Sequence, residues 1–174
     1  MAGLPPRVLW GPKRSAGNLK LGAWGHTGTF TRFNGGHQIG TQGYYAIFNQ
    51  TIWQPVGEPG DGRGLRSFLG YGRTLRTVSV IDWAAAGGLA WKGLFSARPN
   101  DMAGLGPAYA RVSRDAGLPR SYELATELFY SWRLNRWATV MPDLQYIVNP
   151  GGRYANALVA SLRLVLILEA PGEE

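Results

Sequence analysis

The chain has 174 residues, 45% of them apolar, with 25 glycines, 7 tryptophans, 8 tyrosines and no cysteine, so neither a disulfide framework nor a thiolate-based metal or redox site is available to it. Its two histidines, His26 and His37, are too few to make a zinc centre with the carboxylates present. The formal charge of +7 comes from 18 Lys and Arg against 11 acidic residues; because the arginines are dispersed rather than gathered on a helix or stripe, no nucleic-acid partner is expected.

Residues 1–17 contain Pro5, Pro6, Gly11, Pro12 and Gly17 and read as an irregular lead-in. Over residues 18–24, Leu19, Leu21 and Ala23 oppose Lys20, Gly22 and Trp24, which predicts a strand extending to about Phe30. Residues 34–38 form a turn rich in side chains that tolerate positive φ, and residues 44–53 form a second strand rich in aromatic and β-branched residues. Six of the ten residues 55–64 are Pro or Gly, which marks a loop. A third strand covers 65–74. After a segment over 78–83, Ala84, Ala85 and Ala86 allow a brief helical turn, which the two glycines that follow oppose, and a fourth strand covers 87–95. Residues 97–101 break that strand, 105–113 supply the fifth, and 114–119 form another loop.

The last part of the chain carries the clearest pattern: three stretches of about a dozen residues each, over 122–134, 137–148 and 156–168, separated by tight breaks. In the first, Leu124, Thr126, Leu128, Tyr130 and Trp132 oppose Glu123, Ala125, Glu127, Ser131 and Arg133, with Phe129 breaking the alternation. Globular strands average about 5–6 residues, whereas a tilted strand needs about 9–11 to cross a bilayer. No window approaches the apolar length of a transmembrane helix; the longest, over 155–168, contains Asn156, Ser161 and Arg163. The connections are short enough for antiparallel neighbours. The expected fold is therefore all-β: a transmembrane antiparallel β-barrel of meander strands over 18–168, followed by a polar tail at 169–174. Trp24, Tyr44, Trp53, Trp83, Trp91, Trp137 and Tyr146 fall near strand ends, as interfacial girdles do.

The same alternation nominates side chains for the wet face: Lys20, Glu127, Arg133, Asp143, Gln145 and Arg163. Arg163 stands against Leu158, Leu162, Leu164, Leu166 and Leu168, and a charge among them at mid-bilayer would cost about 2–4 kcal/mol. Pairing with Glu127 or Asp143 is its ordinary role, contact with solute the sharper one. Arg73 and Arg111 are also candidates, although glycines blur the pattern around them. The block 98–101 is read as a turn in preference to a rim contact. Asp82, Asp101, Glu123 and Glu127 form no catalytic pair at motif spacing, and the glycines at 35–36 and 60–64 lack a phosphate-loop lysine. No enzyme activity and no cofactor are expected.

In order along the chain, the blocks 19–24, 43–53, 81–83, 93–101, 104–113, 127–130, 137–152 and 156–164 resemble the carboxyl-terminal half of a carbohydrate-selective porin of the OprB family. The run from Pro142 to Tyr146 and on to Asn149, Pro150, Gly151 and Gly152 is the most specific part. The resemblance implies a sixteen-stranded barrel in the outer membrane of Gram-negative bacteria, passing sugars by diffusion, of which about eight strands are present here. It implies mono- or oligosaccharides and outer-membrane lipid as partners, with a homo-oligomer as a further expectation. Two departures from the family pattern, a start at Met1 without an export signal and an end at 168–174 without a terminal aromatic, predict a fragment. Two other readings fit the residues: a closed eight-stranded barrel serving as a membrane anchor, and a soluble basic β-rich binding module.

Overall fold

The computed structural model describes residues 8–9, 16–55 and 62–168. Most of the lead-in, the centre of the 55–64 loop and the 169–174 tail lie outside the described residues. The strands form one antiparallel sheet in chain order: β1 (Val8–Leu9), β2 (Ala16–Thr31), β3 (His37–Trp53), β4 (Gly64–Thr74), β5 (Ile81–Lys92), β6 (Met102–Val112), β7 (Tyr122–Arg133), β8 (Ala138–Val148) and β9 (Ala157–Leu166). Beyond the two-residue β1, the strands run from 10 residues in β9 to 17 in β3, long enough to span a bilayer.

The expected barrel is corrected by this topology. The order β1 to β9 is linear, and the sheet is open, with no ladder joining β9 back to β1 or β2 among the described residues. An eight-stranded barrel has an interior just wide enough for side chains to fill it. Here the large rings of one face lie instead across glycines of adjacent strands. A Cβ added to Gly22 would fall 2.3 Å from the Tyr45 ring, and one added to Gly104 would fall 2.3 Å from Phe129. The closed anchor reading falls with the barrel.

The soluble-module reading fails on burial. The buried apolar side chains among the described residues are Val112 and Ala138, at 3% and 5% exposure, while Leu158 and Leu162 stand 68% and 73% exposed. No second layer covers the leucines of β9. This is a single sheet with both faces bare.

Strand boundaries differ from expectation mainly in β5. It begins at Ile81, not Gly87, and ends at Lys92, short of Phe95. The three alanines that allowed a helical turn lie inside the strand, with Ala84, Ala85 and Ala86 opposite Gly72, Tyr71 and Gly70 on β4 and opposite Ala110, Tyr109 and Ala108 on β6. Ladders on both sides outweigh the weak helix preference of three alanines, too few to close a stable helical turn. β3 likewise begins at His37, inside the expected 34–38 turn, because β2 and β3 extend as a long hairpin past a register shift at 26–29.

At Gly106 β6 lies close against β5: an added Cβ would sit 2.5 Å from the Gly87 carbonyl oxygen and 3.1 Å from Gly88 Cα. Backbone cannot move aside as a side chain can. At Gly70 the nearest atom to an added Cβ is 3.9 Å away. Gly106→Ala should therefore lower the urea-unfolding stability of the micelle-folded chain by about 1–3 kcal/mol, with Gly70→Ala close to neutral.

Candidate functional site

Residues directly opposite in an antiparallel pair point to the same face, so the registers sort the side chains without ambiguity. One face carries Leu19, Leu21, Phe48, Leu69, Leu89, Leu105, Leu128 and Leu144, continuing onto β9 with Leu158, Leu162 and Leu164. Toward one end of this apolar face runs a row of rings. Tyr44 to Tyr71 is 6.3 Å between centroids, Tyr71 to Trp83 6.1 Å, Trp83 to Tyr109 5.0 Å and Tyr109 to Tyr122 5.6 Å. At the other end Trp53 and Trp91 meet at 5.9 Å. Trp83 and Trp91 are eight residues apart on β5, about 27 Å of strand, comparable with the roughly 25 Å apolar band of outer-membrane strands. Of the aromatics expected in girdles, Trp24 stands on the opposite face, lying across Gly43, where a Cβ would fall 2.7 Å from its Nε1.

The opposite face has two polar flanks and a smooth middle. On β2 and β3, Asn49 donates from Nδ2 to Asn18 Oδ1 at 2.9 Å, and Lys20 stands opposite Ile47. Across β4 to β6 this face is built from Gly70, Gly72, Ala84, Ala86, Ala108 and Ala110. A shallow recess of about 360 Å³ runs over it, bordered by Tyr45 and Glu123. On β7 to β9 polar groups return: Glu127 is opposite Gln145, Asp143 is opposite Ser161, and Arg163 is opposite Met141. Gln145 Nε2 donates to Asp143 Oδ1 at 3.4 Å. A recess of about 640 Å³ at the ring-row end is lined from both faces, by Ala23, Gln42, Tyr44 and Arg73 of the apolar face and Trp24 of the opposite one, with Arg76 and Thr77 of the β4–β5 connection.

Of the eight residues nominated from sequence, Lys20, Glu127, Arg133, Asp143, Gln145 and Arg163 share this second face. Glu127, Asp143, Gln145 and Arg163 are brought together on three adjacent strands; Lys20 lies at the far flank, and Arg133 lies near the end of β7, with Nε donating to the Asn135 carbonyl at 3.3 Å. No ion pair joins Arg163 to Glu127 or Asp143 among the described residues. Arg73 and Arg111 are on the apolar face: Arg73 is opposite Tyr44 and Trp83, Arg111 opposite Trp83 and Tyr122. Sequence reasoning passed over Asn18, Asn49 and Tyr45, although all three share the parity that selected Lys20.

The tightest polar cluster lies at the end of the sheet away from the ring row. Asp101, 3% exposed, accepts at Oδ2 from Arg98 Nε at 2.8 Å and from the Tyr130 hydroxyl at 2.7 Å. Its Oδ1 accepts from the Arg133 backbone N–H at 2.9 Å. Arg98 also donates to the Arg133 carbonyl at 3.2 Å and stacks 5.3 Å from the Trp132 ring centroid. The 98–101 block is thus a staple that fastens the 93–101 connection to the end of β7. Burial by itself pushes the Asp101 carboxyl up, but the bonds from Arg98, Tyr130 and the Arg133 N–H outweigh it and hold the group below its ordinary value.

Comparison with known proteins decides what kind of sheet this is. Residues 8–166 match the family model described as carbohydrate-selective porin, OprB family. The chain belongs to the OprB family of porins. This OprB-family chain is 28% identical to Porin B of Pseudomonas aeruginosa over 206 residues, covering 92% of the chain and 44% of that protein. It is also similar to the high-pH structure of Pseudomonas putida OprB, with TM-score 0.80 and 27% identity over 90% of the chain and 46% of that one. The low-pH structure of the same protein gives TM-score 0.59, again at 27% identity. The chain thus spans less than half the length of the relatives it matches. Family membership makes it a porin-type, non-enzymatic protein of the outer membrane.

Because the folded Asp101 is more acidic than its unfolded counterpart, the stability it contributes is complete above the unfolded value, about 4. That contribution is lost as pH falls through the lower folded value. Asp101→Asn should reduce the urea-unfolding stability at neutral pH by about 2 kcal/mol and flatten the fall in stability below about pH 4. An unchanged acid limb in the variant would show that another group controls it.

Proposed function

We propose that this sheet is part of the wall of a passive diffusion path for mono- or oligosaccharides, its leucine face toward lipid and its Glu127–Gln145–Asp143–Arg163 face toward water. The observation that carries the reading is the division of faces on β7 to β9. Leu128, Leu144 and Ala160 are opposite one another on one side, and Glu127 and Gln145 stand opposite on the other. A soluble sheet would need a second layer over those leucines.

Passage needs no bond chemistry. A sugar entering a narrow aqueous path loses part of its hydration, and the wall must return hydrogen bonds without holding on. Glu127 and Asp143 accept from sugar hydroxyls, and Gln145 both accepts and donates. Arg163 offers a planar fork of donors and has no carboxylate already occupying it among the described residues. The glycines and alanines of β4 to β6 keep the middle of the wall thin and smooth. Tyr45 and Trp24 offer ring faces to the apolar side of a pyranose. Lys20 and Arg133 stand on the same face at the far flank and near the end of β7, where they bias the local field. Arg73 and Arg111, on the lipid side, take no part in solute contact.

The open edges set a condition. Among the described residues about half of the backbone N–H and C=O groups of β9, those on its outer side, have no partner in the sheet, and in hydrocarbon each unpaired group costs several kcal/mol. Further strands, from the rest of a longer chain or from a second copy, complete the wall in the membrane.

The test is to export the chain behind a signal sequence, recover it from outer membranes and record conductance in planar bilayers with added sugars. The expected result is a conductance that falls on adding sugar, with the half-blocking concentration rising about three- to tenfold in Arg163→Ala and Glu127→Gln. Membrane-inserted, protease-resistant protein with no sugar-sensitive conductance would refute the transport reading.

A further inference from the structure

At the ring-row end, the apolar face carries a built cationic recess that the diffusion path does not use. Tyr71, Trp83 and Tyr109 mark the level at which side chains pass from hydrocarbon to headgroups. Arg111 lies two residues beyond Tyr109 on the same face of β6, about 7 Å farther toward water, and is opposite Trp83 and Tyr122. The connections on either side bring Arg76 and Arg114 to it. These three arginines, with Trp83, Asp82 and Val112, line a recess of about 370 Å³.

Two features make the recess more than a chance gathering of charge. The loops that carry it are fixed: Ser113, 2% exposed, donates from its hydroxyl to the Arg76 carbonyl at 2.6 Å, accepts from the Asp115 N–H at 3.2 Å, and donates its own N–H to Val80 at 2.8 Å. The carboxylates nearby are also already engaged. Asp82 pairs with Arg73 at 3.3 Å and Asp115 with Arg76 at 3.6 Å. Arg111 has one long bond, 3.5 Å to the Ser121 hydroxyl, and Arg114 has no carboxylate partner among the described residues. Two guanidinium groups are thus left facing the headgroup layer from fixed backbone.

We propose that Arg111 and Arg114, supported by Arg76, bind the phosphate of a membrane-lipid headgroup, with Trp83 against the upper part of its acyl region. The donors of a guanidinium match phosphate oxygens in pairs, and partial desolvation at the headgroup level strengthens such bonds relative to bulk water. The proposal rests on the reading of this face as lipid-facing. It adds a lipid site that anchors the sheet at a defined depth.

The full chain, folded into phosphatidylcholine nanodiscs doped with phosphatidylglycerol, is assayed by native mass spectrometry for retained anionic lipid. Wild type should retain phosphatidylglycerol, and the Arg111→Ala/Arg114→Ala double variant should lose about tenfold in apparent affinity. Arg136→Ala, at the opposite end, should leave retention unchanged, and added salt should weaken binding in wild type. Should the double variant fail to fold, Arg114→Ala alone, on an exposed loop residue, should lose about threefold. Equal retention in wild type and the arginine variants overturns the proposal, as does inorganic phosphate binding as tightly as the lipid. A separate probe guards the underlying reading: a fluorophore on Leu69→Cys should be quenched by brominated acyl chains. Without quenching the lipid-facing assignment itself falls; quenching with indifferent lipid retention overturns the arginine site alone.

Discussion

A backbone in hydrocarbon has no water to satisfy it, so every N–H and C=O must find a partner on a neighbouring strand. That constraint governs this chain. It explains strands of 10 to 17 residues where globular proteins use about half as many. It explains why consecutive strands are also spatial neighbours, since short connections keep each ladder complete. It also explains why the described residues enclose no interior: with backbone pairing carried by one sheet, the side chains form two faces of different character, kept apart by their period of two. The energetic weight lies in the ladders and in the match of each face to its surroundings, with little contributed by a packed core.

The two faces then divide the labour. The apolar one is leucine through its middle and aromatic at its margins, a vertical order that fixes depth. The wet one concentrates hydrogen-bonding groups on β7 to β9 and on β2 and β3, with a glycine–alanine floor between them. Glycines on this face, Gly22 of β2 and Gly104 of β6, let Tyr45 and Phe129 lie across the neighbouring strands, and Gly106 allows β5 and β6 to approach closely. The smoothness of that face and the sheet geometry both depend on small side chains.

How much of this could be read in the chain depended on side-chain contrast. Along β7 to β9, large apolar residues alternate with charged and amide ones, so both the strands and their faces were legible, and Glu127, Gln145, Asp143 and Arg163 emerged together. Along β5, Ala84 to Gly88 offers no contrast, and three alanines in isolation mimic a helix; what makes them a strand is the ladder on each side, whose partners lie outside the local stretch, on β4 and β6. Arg73 and Arg111 show a different limit. Their parity with Tyr71 and Tyr109 was available, but charge alone argued for the wet face, and only the row of rings running through Trp83 shows that they sit where the apolar face ends. The Asp101 staple was half legible: Arg98 and Asp101 are local, whereas Tyr130 and Arg133 reach it through the β6–β7 pairing. Closure is the largest difference between expectation and structure. Alternation establishes a sheet with two faces, but nothing in it specifies that the first and last strands meet.

The absence of cysteine allows the central claim to be tested with single introduced thiols. Leu144→Cys and Gln145→Cys differ by one residue on β8 and should differ in solvent completely. In membrane-inserted protein, a membrane-impermeant maleimide should label position 145 readily and leave position 144 unreacted until detergent is added. Equal labelling at the two positions, or preferential labelling at 144, would contradict a sheet that holds lipid on one side and water on the other.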